Sequence, residues 1–268
     1  MLSWALWGFV ATLVIAVAGL AWHVGRYLAY HRARGLPGPG LSSNAVRNEV
    51  SSLVEVGWLR LLRWRASDLQ LPPKRTGRTV ALVHGYLDQA ASFWRLRDHL
   101  TKLGRPTIGI ELGFQLGKLP RYGRRLERAL RRILRNEPDG IDIVAHSMGG
   151  IVLRLVLHEH PDLRKGIRHV VTLGTPHLGT ASVDQLPLLP EWRALHPDSE
   201  FLADLPALTE LVDPDTVVTV GGDFDMVVYP VEHALDPAGR TEVITEIGHA
   251  GLLTDDRVLS LVAEAIAA

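Results

Sequence analysis

One stretch, Gly140 to Gly150 (Gly-Ile-Asp-Ile-Val-Ala-His-Ser-Met-Gly-Gly), constrains the fold of this chain more than any other. Ile141, Ile143 and Val144 are β-branched and apolar, the make-up of a strand buried on both faces. The helix-compatible run from Ile151 to Leu157 follows almost at once, and Ser147 stands between the two. A serine at the apex of so sharp a strand-to-helix turn holds a strained backbone only if the residues two positions away are small, and Ala145 and Gly149 meet that need. Its hydroxyl then projects above the sheet. The N–H of Met148, at the start of the helix, points into the same space, where an unpaired amide and the helix dipole favour a developing negative charge. An ordinary tight turn also uses small residues, so the reading needs partners elsewhere in the chain.

The chain is long enough for one domain with a large core: 268 residues, 47% apolar and 22% charged. Its formal net charge of zero gives no basic face for nucleic acid. The absence of cysteine excludes disulfides, thiolate zinc sites and a thiol nucleophile. No His-Glu-x-x-His spacing occurs, so neither a metal nor a cofactor is expected.

Between Met1 and Gly25 there is no Asp, Glu, Lys or Arg, and Phe9 to Ala21 is almost wholly apolar. About 20 helical residues cross a hydrocarbon core, so residues 1–25 are expected to form a transmembrane anchor, with Trp4, Trp7 and Trp22 near its ends. A cleaved signal peptide ending near Ala16-Val17-Ala18 is the rival, but it normally has a basic leading region, which this segment lacks. Arg26, Arg32 and Arg34 follow the segment and favour a single-pass protein whose domain faces the cytoplasm, with a periplasmic or secreted placement as the alternative.

Residues 26–75 read as a connecting region. Gly35-Leu36-Pro37-Gly38-Pro39-Gly40 is a linker. Ser43 to Arg65 then has helical spacing, with Val50, Leu53, Val54, Leu61 and Leu62 among its apolar positions. Such a helix packs on the domain with its arginines solvated, or lays them on anionic headgroups.

From residue 76 to 268, strand and helix alternate. Thr79–Val83, Pro106–Ile110, Val170–Leu173, Thr216–Val220 and Val243–Ile247 read as strands, and Ser92–Leu103 and Tyr122–Arg135 as helices. This α/β pattern predicts a mostly parallel sheet with helices on both faces. Gly85 lets the chain turn at the carboxyl end of the first of these strands, and the N–H of Tyr86 pairs with that of Met148 as a candidate oxyanion hole.

His84-Gly85-Tyr86, Ala145-His146-Ser147-Met148-Gly149-Gly150, Thr175-Pro176-His177-Leu178-Gly179 and the segments around Asp225 and His249 together resemble the α/β-hydrolase fold. Within it they are similar to bacterial triacylglycerol lipases and lipase-like esterases. The likeness covers roughly residues 76 to 268, and Ala145 departs from the glycine usual at that place. It implies a serine nucleophile, an acid and a histidine in that chain order. His249, after the last strand, is the candidate base, while His84, His146 and His177 read as local hydrogen-bonding residues. For the acid, the resemblance selects Asp225, followed by Val227, Val228 and Pro230, with Asp223 as the alternative.

Thr180 to Leu211 is a long insertion of the kind that forms lids. Leu186, Leu188, Leu189, Trp192, Phe201 and Leu202 either line an acyl cleft or pack the insertion onto the sheet. The expected activity is hydrolysis of carboxylic esters, lipid esters in particular, through an acyl-enzyme. Two other readings use the same sequence: a transacylase or thioesterase with the same triad, and a catalytically silent membrane-tethered module that binds lipid or protein.

Overall fold

Alternate residues of the strands are sorted onto two apolar layers, and that sorting places everything else. Ala81, Val83, Ile141, Ile143, Ala145 and Val170 belong to one buried cluster; Val80, Leu82, Val144, Val171 and Leu173 belong to the other. Successive strand residues point to opposite faces, so a sheet whose residues are apolar on both must be covered on both. The computed structural model describes residues 24–35, 42–62, 69–86, 88–113, 119–185 and 190–267.

Seven strands are present among the described residues: β1 (Leu69–Gln70), β2 (Val80–Val83), β3 (Thr107–Ile110), β4 (Ile141–His146), β5 (Ile167–Leu173), β6 (Val217–Gly222) and β7 (Arg240–Ile244). They form one sheet in the order β1-β3-β2-β4-β5-β6-β7. Strands β2 to β7 run parallel and β1 pairs antiparallel with β3. The main helices are α1 (Ser43–Leu62), α2 (Trp94–Lys102), α3 (Leu119–Leu134), α4 (Met148–Glu159) and α5 (Asp256–Ala265).

Leu126 and Leu130 of α3 and Ile151, Val152, Leu153, Leu155, Val156 and Leu157 of α4 fill one layer; Leu96 and Leu100 of α2 and Val258 and Val262 of α5 fill the other. A fully buried Leu, Ile or Val contributes about 1.5–3 kcal/mol, against about 1 kcal/mol net for a typical hydrogen bond, so these two layers hold the sheet together. The sheet's carboxyl edge is thereby left to loops, as expected for a parallel sheet that binds a ligand there.

The chain forms two compact units, Met1–Leu41 and Ser42–Ala268. In the first, residues 24–33 are helical. The expected transmembrane segment falls almost wholly on residues 1–23, outside the described residues; among the described ones, no helix is long and apolar enough to cross a membrane.

Three expectations are corrected. The last strand is Arg240–Ile244 rather than 243–247. The Asp223 carboxylate accepts the Glu246 N–H at 2.6 Å and Glu246 turns to φ 59, which ends the strand and sends Ile247 into the core. The second helix starts later than Ser92, because Ala90–Phe93 forms a tighter 3-10 turn before α2. Helix α1 packs on the domain with the opposite polarity to its apolar spacing. Ala45, Glu49 and Ser52 are buried, while Val50, Leu53 and Val54 are exposed by 40%, 48% and 67%.

Candidate active site

Ser147 directly follows β4 and occupies the N-cap position of α4 with φ 55 and ψ −133, a left-handed backbone that a side chain adopts only when its surroundings enforce it. The enforcement is visible residue by residue. The Ser147 N–H donates to the Leu173 carbonyl at 2.8 Å, and the Thr175 hydroxyl donates to the Ser147 carbonyl at 2.9 Å. A Cβ on Gly149 would fall 2.6 Å from the Val83 carbonyl oxygen, and one on Gly150 would strike the Thr175 side chain. A Cβ on Gly85 would lie 2.7 Å from that of Ser147. The elbow is therefore clamped between the ends of β2 and β5, which is why glycine stands at these three places.

Met148 opens α4, so its N–H is one of the first-turn amides with no acceptor inside the helix. Tyr86 lies in the loop after β2. Its ring meets Trp192 edge-on, with centroids 5.7 Å apart.

His249 lies in the loop between β7 and α5, with its ring against Gly174, where a Cβ would be 3.1 Å from the imidazole. Its Nδ1–H donates to Asp225 Oδ2 at 2.7 Å. The other oxygen of Asp225 accepts the N–H groups of Val227 and Val228, both at 2.8 Å, so the carboxylate is fixed before it meets the ring. Asp223 braces the Glu246 turn. Of the two acids the sequence offers, Asp225 is the one in contact with the histidine.

Burial works against a charge on the His249 imidazole. The Asp225 carboxylate and its hydrogen bond, together with Glu49 and Asp88, outweigh that and hold the group above the ordinary histidine value. His146 lies beside it, its ring tilted by 44° with centroids 4.6 Å apart, and donates Nε2–H to the His249 carbonyl at 3.2 Å. Burial, with the neighbouring His249, pushes His146 down to about 3, so it is neutral at working pH and adds no positive charge to the site. His177, also pushed down to about 3 by burial and by Arg154, pairs with the Thr172 hydroxyl. His84 bridges the Gly85 carbonyl and the Leu112 N–H.

Ser147 borders two cavities. The larger is lined by His249, His146, Asp88, Glu49 and Leu53, and the smaller by Tyr86, Met148, Trp192, Leu195, Val227 and Val228. The second has an almost wholly apolar wall. Trp192 thus lines a cleft, while Leu202 is buried in the core layer and Phe201 packs on it; Leu186, Leu188 and Leu189 lie outside the described residues. The insertion is fastened by Arg154 of α4, whose guanidinium donates to the carbonyls of His177, Leu205 and Pro206. Burial lowers Arg154 to about 10, which leaves it charged at neutral pH.

Sequence reasoning missed Glu49, Thr175 and Arg154 as supports of this site. Thr175 lies in a motif already noted, but nothing in the sequence distinguishes Glu49 or Arg154 from other polar residues on their helices. No group of three or more His, Asp or Glu side chains arranged to hold a metal occurs among the described residues.

A family model described as "PGAP1-like alpha/beta domain" matches residues 114–190, which include the elbow, α4 and β5. Among curated proteins no sequence matches. Solved structures with a similar fold include the mature form of Bacillus licheniformis lipase BlEst2, at 15% identity and a TM-score of 0.61 over 75% of this chain and 99% of that one. Aspergillus fumigatus lipase B follows at 16% and 0.59, over 75% of this chain and 56% of the other. The metagenomic carboxyl esterase MGS0156 stands at 16% and 0.58, over 74% and 78%. At such identities the likeness is one of fold.

Proposed function

We propose, from the premise that this chain has the α/β-hydrolase fold, that it is a serine hydrolase of carboxylic esters, with lipid esters as its substrate class. The observation that carries the reading is the His249–Asp225 hydrogen bond of 2.7 Å, set in a cavity that Ser147 also borders. In this mechanism His249 Nε2 removes the proton from Ser147 as its Oγ attacks the ester carbonyl carbon. The carbonyl oxygen becomes an oxyanion facing the N–H groups of Tyr86 and Met148. His249 then protonates the leaving alcohol, and the acyl group stays on Ser147. Water, deprotonated by the same imidazole, attacks the acyl-enzyme and releases the acid.

Asp225 fixes the tautomer and stabilises the imidazolium in both halves. The apolar walls of the smaller cavity suit an acyl chain. Because the base must be neutral and its charged form is favoured, the acid limb of kcat/KM is expected above the ordinary histidine value.

The uncharged stretch Met1–Gly25 supports attachment of this domain to a bilayer as a single-pass anchor, with the domain on the cytoplasmic side. Resistance to alkaline extraction from membranes, with protease accessibility from one side only, tests that part. The chemistry is tested with a fluorophosphonate. Wild type should be labelled and Ser147→Ala should not, and a folded wild type that resists labelling would overturn the hydrolase reading.

A further inference from the structure

Helix α1 lies ahead of the strand-and-helix alternation that makes the sheet, yet it is built into the loop that carries His249. Ser42 caps it through the Ala45 N–H and donates to Glu246 Oε1 at 2.6 Å, and the Asn48 side chain donates to the Glu246 carbonyl. One turn further on, the buried Glu49 carboxylate accepts two successive amides, Ala250 N–H at 3.0 Å on Oε1 and Gly251 N–H at 3.1 Å on Oε2. Another turn on, the Ser52 and Thr254 hydroxyls are 2.7 Å apart. A Cβ on Gly248 would collide with the Glu49 carboxyl group, so that carboxyl occupies the room a side chain at position 248 would need. Glu49 therefore grips the chain on both sides of His249, and it lines the same cavity as His249 and Ser147.

We infer that Glu49 is a positioning residue for the base: it fixes the 248–251 loop so that the His249 ring faces Ser147, and its negative charge stabilises the imidazolium that forms during each acyl transfer. This rests on the hydrolase reading above. A buried carboxylate with no strong donors is costly, and here two amides aimed at separate oxygens favour the ionised form. Burial, followed by Asp225, raises the Glu49 carboxyl above the ordinary glutamate value, and the two amides and the His249 imidazole oppose that rise. Among the described residues, the charged or titratable groups around His249 are Asp225 from the loop after β6, Asp88 from the loop after β2, His146 from the end of β4, and Glu49 from α1. Glu49 alone among them comes from outside the sheet and its crossovers.

The role is distinguished from mere packing by proton affinity. Glu49→Gln keeps the shape, removes the charge and turns an amide NH2 toward one of the two N–H groups. In the full-length protein it is expected to lower kcat/KM by about ten- to a hundredfold, the scale on which misplacing a catalytic group acts. It should also move the acid limb down by about half to one pH unit. Ser52→Ala removes an uncharged contact between the same helix and the same loop and should leave the limb where it is. Glu49→Asp, which keeps the charge, should recover most of the limb position even where kcat stays low.

A histidine 15N NMR titration reads the His249 imidazole directly and does not depend on turnover. A downward shift in Glu49→Gln supports the inference, and an unchanged midpoint in the folded variant overturns it. If wild type is neither labelled by the fluorophosphonate nor active on esters, the hydrolase reading fails, and with it the part of the inference that concerns acyl transfer; the NMR titration still decides whether Glu49 sets the imidazole. Should Glu49→Gln show no cooperative unfolding, Gly248→Ala displaces the carboxyl by another route, and the same shift or its absence decides.

Discussion

Asp223 and Asp225 leave the same strand two residues apart and do different work. Asp225 meets the His249 ring; Asp223 stops β7 by binding the Glu246 amide. Asp225→Asn would turn an NH2 group toward Nδ1 and favour the wrong tautomer, so kcat is expected to fall by about 10³- to 10⁴-fold with the fold intact. Asp223→Asn should lower the unfolding midpoint slightly and leave the pH–rate profile unchanged. Steady-state kinetics and denaturant titration on the pair separate the two roles. Sequence spacing offers both acids, and the resemblance to lipases points to Asp225. The deciding fact is a turn geometry, the two amides of Val227 and Val228 that aim one carboxylate, and such a turn leaves no mark in composition.

Among the elements, the buried strands were legible because β-branched apolar runs bounded by glycine have few other fates. Ser147 was legible because the strand, the small neighbours and the helix had to occur together. Helix α1 was legible as a helix and not in its orientation. Its apolar residues Val50 and Val54 are exposed and Leu53 borders the larger cavity, while Glu49 and Ser52 are inside, since partners on a distant loop satisfy them. Periodicity ranks residues by hydrophobicity and is blind to partners some two hundred positions away.

The described part of the insertion contributes both to the cleft wall and to the core. Trp192→Ala should enlarge the apolar cleft and raise the ratio of kcat/KM for long over short p-nitrophenyl esters, by about 0.8 kcal/mol for each methylene newly accommodated. An unchanged ratio would place the acyl chain elsewhere. Arg154→Met strips the donors from three carbonyls at once. At about 1–3 kcal/mol for each buried group left unpaired, it should lower stability by several kcal/mol in denaturant unfolding.

For the molecule as a whole, acid stability follows from its buried histidines. His146 and His177 are held near 3, well below the 6.5 they regain on unfolding. A depressed folded value gives stability that is complete above the unfolded value and is lost as pH falls toward the folded one. Each of the two should therefore remove about 1.4 kcal/mol per pH unit below pH 6.5. His249 has the opposite sign: its contribution is present at low pH and lost as pH rises through its raised value. Denaturant midpoints from pH 7 to pH 4 should fall, and His177→Gln should flatten that fall.

Ser147 borders both cavities, and for the proposed chemistry that arrangement sets an order of events. With the acyl half lodged in the greasy chamber, the alcohol departs first through the one that holds the histidine. Water must then come in by the door the alcohol has just used. An added alcohol at high concentration competes for that doorway, so turnover should partition between free acid and a new ester, as in a ping-pong scheme with a shared second site.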